Sequence, residues 1–297
     1  MAKRVASSIV GILIFLGLCY WGPLPWAIGA TVVAGLAAWE YSVAYRHHPD
    51  PNAEDAPPPP PFALSHAANA AIVMVSAAMP LITFMLNSRG RDTATLYALG
   101  LAFLVGVLSF TVPHYIRTGR ALGRFRGVYG VVGAGYIGLL FSGLVLLRCI
   151  PGRVEVIPFH RADFGAWIAL YVAACVWMSD TWALFGGKAL GKHKLAPTLS
   201  PGKTSEGLVS GILGALVTGA LFGLWIHIPL IHGAAIGAIA GLVGPLGDLF
   251  ESALKREIGV KDFGTIMPGH GGTLDRFDSL LFVMPIAYLY LRLIAGV

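Results

Sequence analysis

The sequence predicts an all-α polytopic integral membrane protein of about nine transmembrane helices, with its working site at the cytoplasmic ends of the C-terminal helices. Hydrophobic residues fill 56% of 297 positions and the mean hydropathy is +0.72, outside the range of soluble globular chains. Apolar runs of about 20 residues, enough to cross ~30 Å of hydrocarbon, recur along the whole chain. Only 12% of residues are charged, and a charge beside the hydrocarbon core is costly enough to mark function.

The runs lie at 5–21, 24–45, 64–87, 94–112, 127–148, 163–185, 206–226, 229–249 and 279–296. The first follows Met-Ala-Lys-Arg, which imitates a signal peptide, but it meets no small-residue cleavage site and a second run follows at once, so it reads as a retained span. Residues 46–63, with His47, His48, Asp50, Glu54, Asp55 and Pro57 to Pro61, read as a stiff connector without chemistry of its own. Segment 113–126 interleaves Arg with Tyr115 and Phe125, which suits a strip against anionic headgroups or a plain positive-inside loop. In the eighth run Gly233, Gly237 and Gly241 recur every four residues, baring one face for close helix packing. His227 and His232 flank that run, and without a nearby third ligand a metal role there is disfavoured. Cys19, Cys149 and Cys175 are isolated and read as buried free thiols. Two regions result: 1–150, with about five spans and the connector, and 151–297, with about four spans and the polar loops.

Orientation follows from Lys and Arg, which cytoplasmic loops retain. Across nine spans, fifteen of the 21 basic residues fall on the N-terminal side. The expected topology has a cytoplasmic N-terminus and an external C-terminus, and the net charge of +6 gives a cytoplasmic face that attracts anionic lipids and nucleotides.

Two polar loops share that face. In the second, Asp248 closes the eighth run, with Glu251 and Ser252 on the same helical face, while Asp275 and Asp278 share a face at the start of the ninth. If those ends adjoin, three carboxylates converge. Their repulsion calls for cations, and hard carboxylate oxygens suit Mg²⁺, which completes its shell with water and substrate phosphate. The alternative is three separately solvated acids favoured at helix ends. Between them lie Lys255, Arg256, Lys261 and Pro268-Gly-His-Gly-Gly272, a basic, glycine-rich stretch suited to phosphate. His270 reads either as a phosphate donor or as a turn residue. In the first loop, Ser200-Pro-Gly-Lys-Thr-Ser-Glu206 runs into the seventh span, so Thr204 or Ser205 can cap that helix with Glu206 in its first turn. Gly202-Lys203-Thr204 is no P-loop, because Pro197 occupies the upstream Gly position and no strand is expected before it.

The pattern Ser252-x-Leu254-Lys255-Arg256-x4-Lys261-Asp262-x-Gly264-x3-Pro268-x-His270-Gly271-Gly272-x2-Asp275-Arg276-Phe277-Asp278 resembles the signature of phosphatidate cytidylyltransferases, also called CDP-diacylglycerol synthases. Ser179-Asp180 through Lys203-Thr204-x-Glu206-Gly207 resembles the same family's second motif, so the likeness covers roughly 175–280. It departs at Trp182 and Leu184, where DTGAY is usual, at Gly202 and Ser205, where SPKKTWEG is usual, and at Thr273, where an aliphatic residue is usual. The resemblance implies an integral membrane enzyme that condenses CTP with phosphatidic acid to give CDP-diacylglycerol and pyrophosphate. It implies Mg²⁺, with K⁺ as a further candidate cation, and a homodimer in the bacterial inner membrane. No nucleic-acid partner is expected.

On this reading Asp248 and Asp275, supported by Asp278, hold the metal. Lys255, Arg256, Lys261, His270, Gly271 and Gly272 meet pyrophosphate or phosphatidate, and Lys203 and Ser200 hold the nucleotide. Thr204, Glu206, Ser252 and Arg276 complete the expected substrate contacts, and Asp180 either orients a cation or the ribose or is a plain helix-end acid. A CTP-dependent lipid kinase and an ion transporter are the competing readings. Against transport, the runs carry almost no charge at mid-depth.

Overall fold

Apolar segments that cannot hydrogen-bond to water must satisfy their backbone internally, which a helix does within one segment. The computed structural model describes residues 2–44, 66–91, 93–101, 133, 135–156, 159–197, 199–257, 260–266 and 271–296. Helices α1 (Ala2–Trp21), α2 (Pro23–Ala44) and α3 (His66–Ser88) are followed by α4 (93–101) and by α5 (Leu140–Arg148), which is entered through a π-helical turn, Gly135–Leu139. Strands β1 (Arg153–Val156) and β2 (Phe159–Asp163) form an antiparallel hairpin, then comes α6 (Phe164–Leu190). A second hairpin, β3 (Lys194–Ala196) and β4 (Ser200–Thr204), leads into α7 (Ser205–Trp225), α8 (Leu230–Glu257) and α9 (Leu274–Tyr290), which ends in a π-helical turn, Leu291–Ala295.

Among the described residues six helices are long and apolar enough to span a bilayer, and Ile9–Trp21 and Gly135–Arg148 are shorter apolar helices. The protein is thus a helical, polytopic integral membrane protein. The expected connector at 46–63, the strip at 113–126 and much of the runs at 94–112 and 127–148 lie outside the described residues. Two features depart from the sequence reading. Short β-hairpins interrupt the helices, and β4 contains Gly202-Lys203-Thr204, so a strand does lead into α7 there. Helix α6 also runs on to Leu190, which places Asp180 inside a helix rather than at a span's end.

The chain divides into two units. The first comprises Met1–Phe15, Leu24–Val145 and Ala253–Phe277. Its α2 buries Trp26, Ala27, Ala30, Ala34, Ala37, Ala38 and Tyr41, the spacing of one helical face. Small side chains there let α3 approach, so that a Cβ on Gly35 would meet the Cβ of Ala77 at 3.4 Å. The Trp26 indole donates to the Leu144 carbonyl at 3.0 Å, and the Tyr97 hydroxyl donates to that of Leu139 at 2.8 Å.

The second unit comprises Leu16–Pro23, Leu146–Ser252 and Asp278–Val297. Arg148, only 1% exposed, donates to Asp163 Oδ1 at 3.0 Å and to the Cys19 carbonyl at 2.8 Å. Asp163 also caps α6 by accepting the Ala166 N–H. All three cysteines are free, as expected; burial pushes the Cys149 thiol up to about 11 against the opposing pull of Arg148. His227 faces the Glu155 carbonyl and His232 the Tyr290 hydroxyl, so each imidazole has its own protein partner.

Glycine sets the packing of α6, α7 and α8. The stripe predicted on α8 lies against α7, where a Cβ on Gly237 would stand 2.8 Å from Leu216 Cα and one on Gly241 would stand 2.7 Å from Ile212 Cα. On the α6 side, a Cβ on Gly211 would fall 2.9 Å from the Ser179 carbonyl and one on Gly207 2.8 Å from that of Ala183. Such backbone approach is what small residues permit between membrane helices. Tyr171 adds its hydroxyl between the Gly219 and Gly233 carbonyls, at 2.9 and 3.0 Å. Gly237→Leu should therefore force α7 and α8 apart and cost about 1–3 kcal/mol, the usual range for overpacking. A melting temperature in detergent equal to wild type would contradict this packing.

Candidate active site

Within the second unit the hairpin β3–β4 feeds directly into α7. Thr204 is the N-cap, extended at φ −126° and accepting the Gly207 N–H at 3.1 Å, as its type and position predict. Glu206 turns back to take the N–H groups of Lys192 and His193 at 3.1 and 3.3 Å and meets the His193 ring at 2.6 Å. It therefore anchors the loop after α6. The close approach of Gly187 to Gly207, whose Cβ would lie 3.2 Å from Gly187 Cα, fixes that loop against the start of α7.

These elements leave a cleft of about 380 Å³ lined by Asp180, Gly187, Lys188, Gly202, Lys203, Thr204, Gly207, Pro245 and Asp248, among others. Small-molecule sites typically measure about 300–1,000 Å³. Lys203 Nζ meets Asp248 Oδ2 at 2.6 Å, with the two side chains 24% and 33% exposed. Asp180 lies within electrostatic reach of Asp278, Asp248 and Lys203. Two carboxylates and two ammonium groups, Asp180 and Asp248 with Lys188 and Lys203, therefore border the cleft, and Asp278 acts on Asp180 through space. Ser252 adds a hydroxyl that donates to Asp248 Oδ1 at 3.4 Å. Ser200 is partly exposed on β4.

No group of three or more His, Cys, Asp or Glu side chains among the described residues is gathered tightly enough to hold a metal by itself. Mg²⁺ does not need one, since it binds through one or two carboxylates and takes its other ligands from water and substrate phosphate. The hard carboxylate oxygens of Asp248, on the cleft wall, and of Asp278, which acts electrostatically on Asp180, suit that mode.

The first unit contains the other expected acid. Asp275 is 8% exposed; its Oδ1 takes Lys255 Nζ at 2.7 Å, and its Oδ2 takes the N–H groups of Phe263 at 3.0 Å and Gly272 at 2.8 Å. Gly271 has φ +84°, a backbone conformation in which a side chain is strained. Its Cβ would also stand 3.1 Å from Asp275 Oδ2. Arg256 donates to the Val260 carbonyl at 3.4 Å, and Lys261 and Arg276 are exposed. His270 lies outside the described residues. The structure thus gathers Asp180, Lys203, Asp248 and Asp278 in one unit, and Lys255, Gly271, Gly272 and Asp275 in the other.

Sequence reasoning missed three participants. Lys188 lines the cleft but stands in a stretch that reads as loop. His193 carries no spacing signal. Glu40 accepts the backbone N–H groups of Thr273 and Leu274; a single acid inside an apolar run was the available signal.

The fold and the cleft define a helical membrane protein with a polar, lysine-bearing cleft beside the start of a glycine-packed helix. The chain belongs to the Cytidylyltransferase family, which it matches over residues 2–294. It is 44% identical over 160 residues to the phosphatidate cytidylyltransferase of Bacillus subtilis, covering 53% of this chain and 55% of that protein. The Thermotoga maritima phosphatidate cytidylyltransferase is 40% identical over 148 residues, 48% of this chain and 54% of the relative. That of a Synechocystis species is 38% identical over 184 residues, with 56% and 62% covered. The chain thus spans a little over half the length of these relatives.

Removing the cap tests the architecture of the cleft. Thr204→Ala should lower stability by about 1 kcal/mol, read as a lower melting temperature in detergent, whereas Thr204→Ser should stay close to wild type.

Proposed function

We propose that the chain is a phosphatidate cytidylyltransferase, condensing CTP with phosphatidic acid to give CDP-diacylglycerol and pyrophosphate in phospholipid biosynthesis. The observation that carries this reading is the cleft: Lys203 and Asp248 paired beside Asp180 and Asp278, in the segment that bears the family pattern. In the reaction a phosphatidate oxygen forms a bond to the α-phosphorus of CTP, the α–β phosphoanhydride bond breaks, and pyrophosphate leaves.

A phosphate monoester has a second pKa of about 6, so the attacking oxygen is already ionised at neutral pH. The protein needs no strong base; positioning and charge neutralisation suffice. Lys203 and Lys188 supply positive charge on the cleft wall, and the N–H groups at the start of α7 favour an anion there. Lys255, Arg256 and Lys261 are proposed to meet the pyrophosphate or the lipid phosphate. When bound, Mg²⁺ supplies charge neutralisation and a template for the phosphates. Asp248 and Asp278 are its proposed ligands. Asp275 stays in the metal proposal as an expected ligand, but its present bonds support a first role in holding the loop. K⁺ as a second cation, a homodimer, and an inner-membrane topology with the N-terminus and cleft cytoplasmic and the C-terminus outside complete the proposal. The basic-residue count supports the topology.

The deciding assay uses purified protein in mixed micelles with phosphatidate, Mg²⁺ and CTP labelled separately in cytidine and in the γ-phosphate. Cytidine label should enter the lipid and labelled pyrophosphate should be released; γ-label in the lipid would instead mean a kinase. Asp248→Asn and Asp278→Asn should each cut turnover roughly 100-fold or more, the scale of losing one charge-stabilising group. Chelating Mg²⁺ should abolish turnover. Normal rates in either variant would remove that residue from the metal site.

A further inference from the structure

Glu40 is the one acid in the run 24–45 and is 1% exposed. A carboxylate so placed is costly unless hydrogen bonds satisfy it. Its Oε2 accepts the N–H groups of Thr273 at 2.5 Å and Leu274 at 3.3 Å. These donors open α9, so the charge also meets the positive end of the helix dipole. Two glycines close around the carboxylate. A Cβ on Gly272 would stand 2.8 Å from Oε2, and one on Gly264 would overlap Oε1. Next to Glu40, the Tyr41 ring packs on Phe263 with centroids 5.8 Å apart.

The same two stretches are tied a second time by Asp275, through the N–H groups of Phe263 and Gly272. Neither stretch can shift without disturbing both carboxylates.

We propose that Glu40 is a positioning residue for the signature segment, holding the first turn of α9 and the Gly264–Gly272 contact so that Asp275 stays in place for the reaction. This deepens the cytidylyltransferase reading and rests on it for its activity readout. The fold of the segment is read separately.

The test compares wild type, Glu40→Ala and Glu40→Asp as full-length protein in detergent, by amide hydrogen exchange over 263–276 and by cytidine transfer. Glu40→Ala should exchange roughly five- to ten-fold faster at 272–274, with α7 unchanged, the effect of a lost cap felt locally. Its kcat should fall about 100-fold, with KM for CTP changed less than about three-fold, as for misplaced rather than missing contacts. Glu40→Asp, which keeps the charge but draws it back from α9, should show smaller changes of the same kind, and it decides the matter if Glu40→Ala does not fold. Exchange at 272–274 equal to wild type, or faster exchange with unchanged kcat, would overturn the proposal. A wild-type chain that transfers no cytidine would sink the activity reading, while the exchange comparison would still decide whether Glu40 holds the segment.

Discussion

Ionised groups are costly inside a chain whose surroundings are mostly hydrocarbon, and that cost shapes each polar feature described above. Arg148 is buried only because Asp163 and the Cys19 carbonyl meet its guanidinium. Asp275 is buried because Lys255 and two N–H groups meet its oxygens, and Glu40 because it closes a helix end. Each charge that anchors the fold is therefore also fixed in position. The cleft differs: Asp180 and Asp248 line it together with Lys188 and Lys203, so charges of both signs border an open cavity there.

Much of this was legible because it is written in local sequence. Apolar length gave the helices, the Gly233, Gly237 and Gly241 spacing gave a packing face, and Thr204 before Ser205-Glu206 gave an N-cap. The hairpins were not legible. β3 and β4 are only 3 and 5 residues long, too short for alternation to stand out, and their glycine, proline and lysine read as loop. Asp180 reads as a helix-end acid because the polar loop pattern begins at Ser179, yet α6 continues to Leu190. The extension carries Gly186 and Gly187, whose Cβ atoms would meet Ser210 and Thr204, so close packing against the start of α7 holds it against poor helix propensity. Glu40 stands out only as a single acid in an apolar run; its partners lie 233 and 234 residues away, and one sequence carries no sign of such a pairing.

The departures from the family pattern divide physically. Trp182 replaces a usual glycine, and its indole covers Gly214, whose Cβ would stand 2.7 Å from the Trp182 Cβ. Gly214 leaves α7 open to the ring, which stays half exposed. Thr273 gives its backbone N–H to Glu40, a contact that an aliphatic residue would make equally well.

Gly202 is different. It replaces a usual lysine, it lines the cleft, and a Cβ there would meet nothing within 4 Å. Sterics therefore do not explain its loss, and what changes is the charge available to an anionic ligand. With Gly202 neutral, Lys203 carries more of the electrostatic work on β4, yet its ammonium is already paired to Asp248. A bound cation that drew on Asp248 would weaken that pair and free Lys203 toward phosphate. Metal and nucleotide would then each make the other's binding less costly, a coupling that follows from one ammonium sharing one carboxylate.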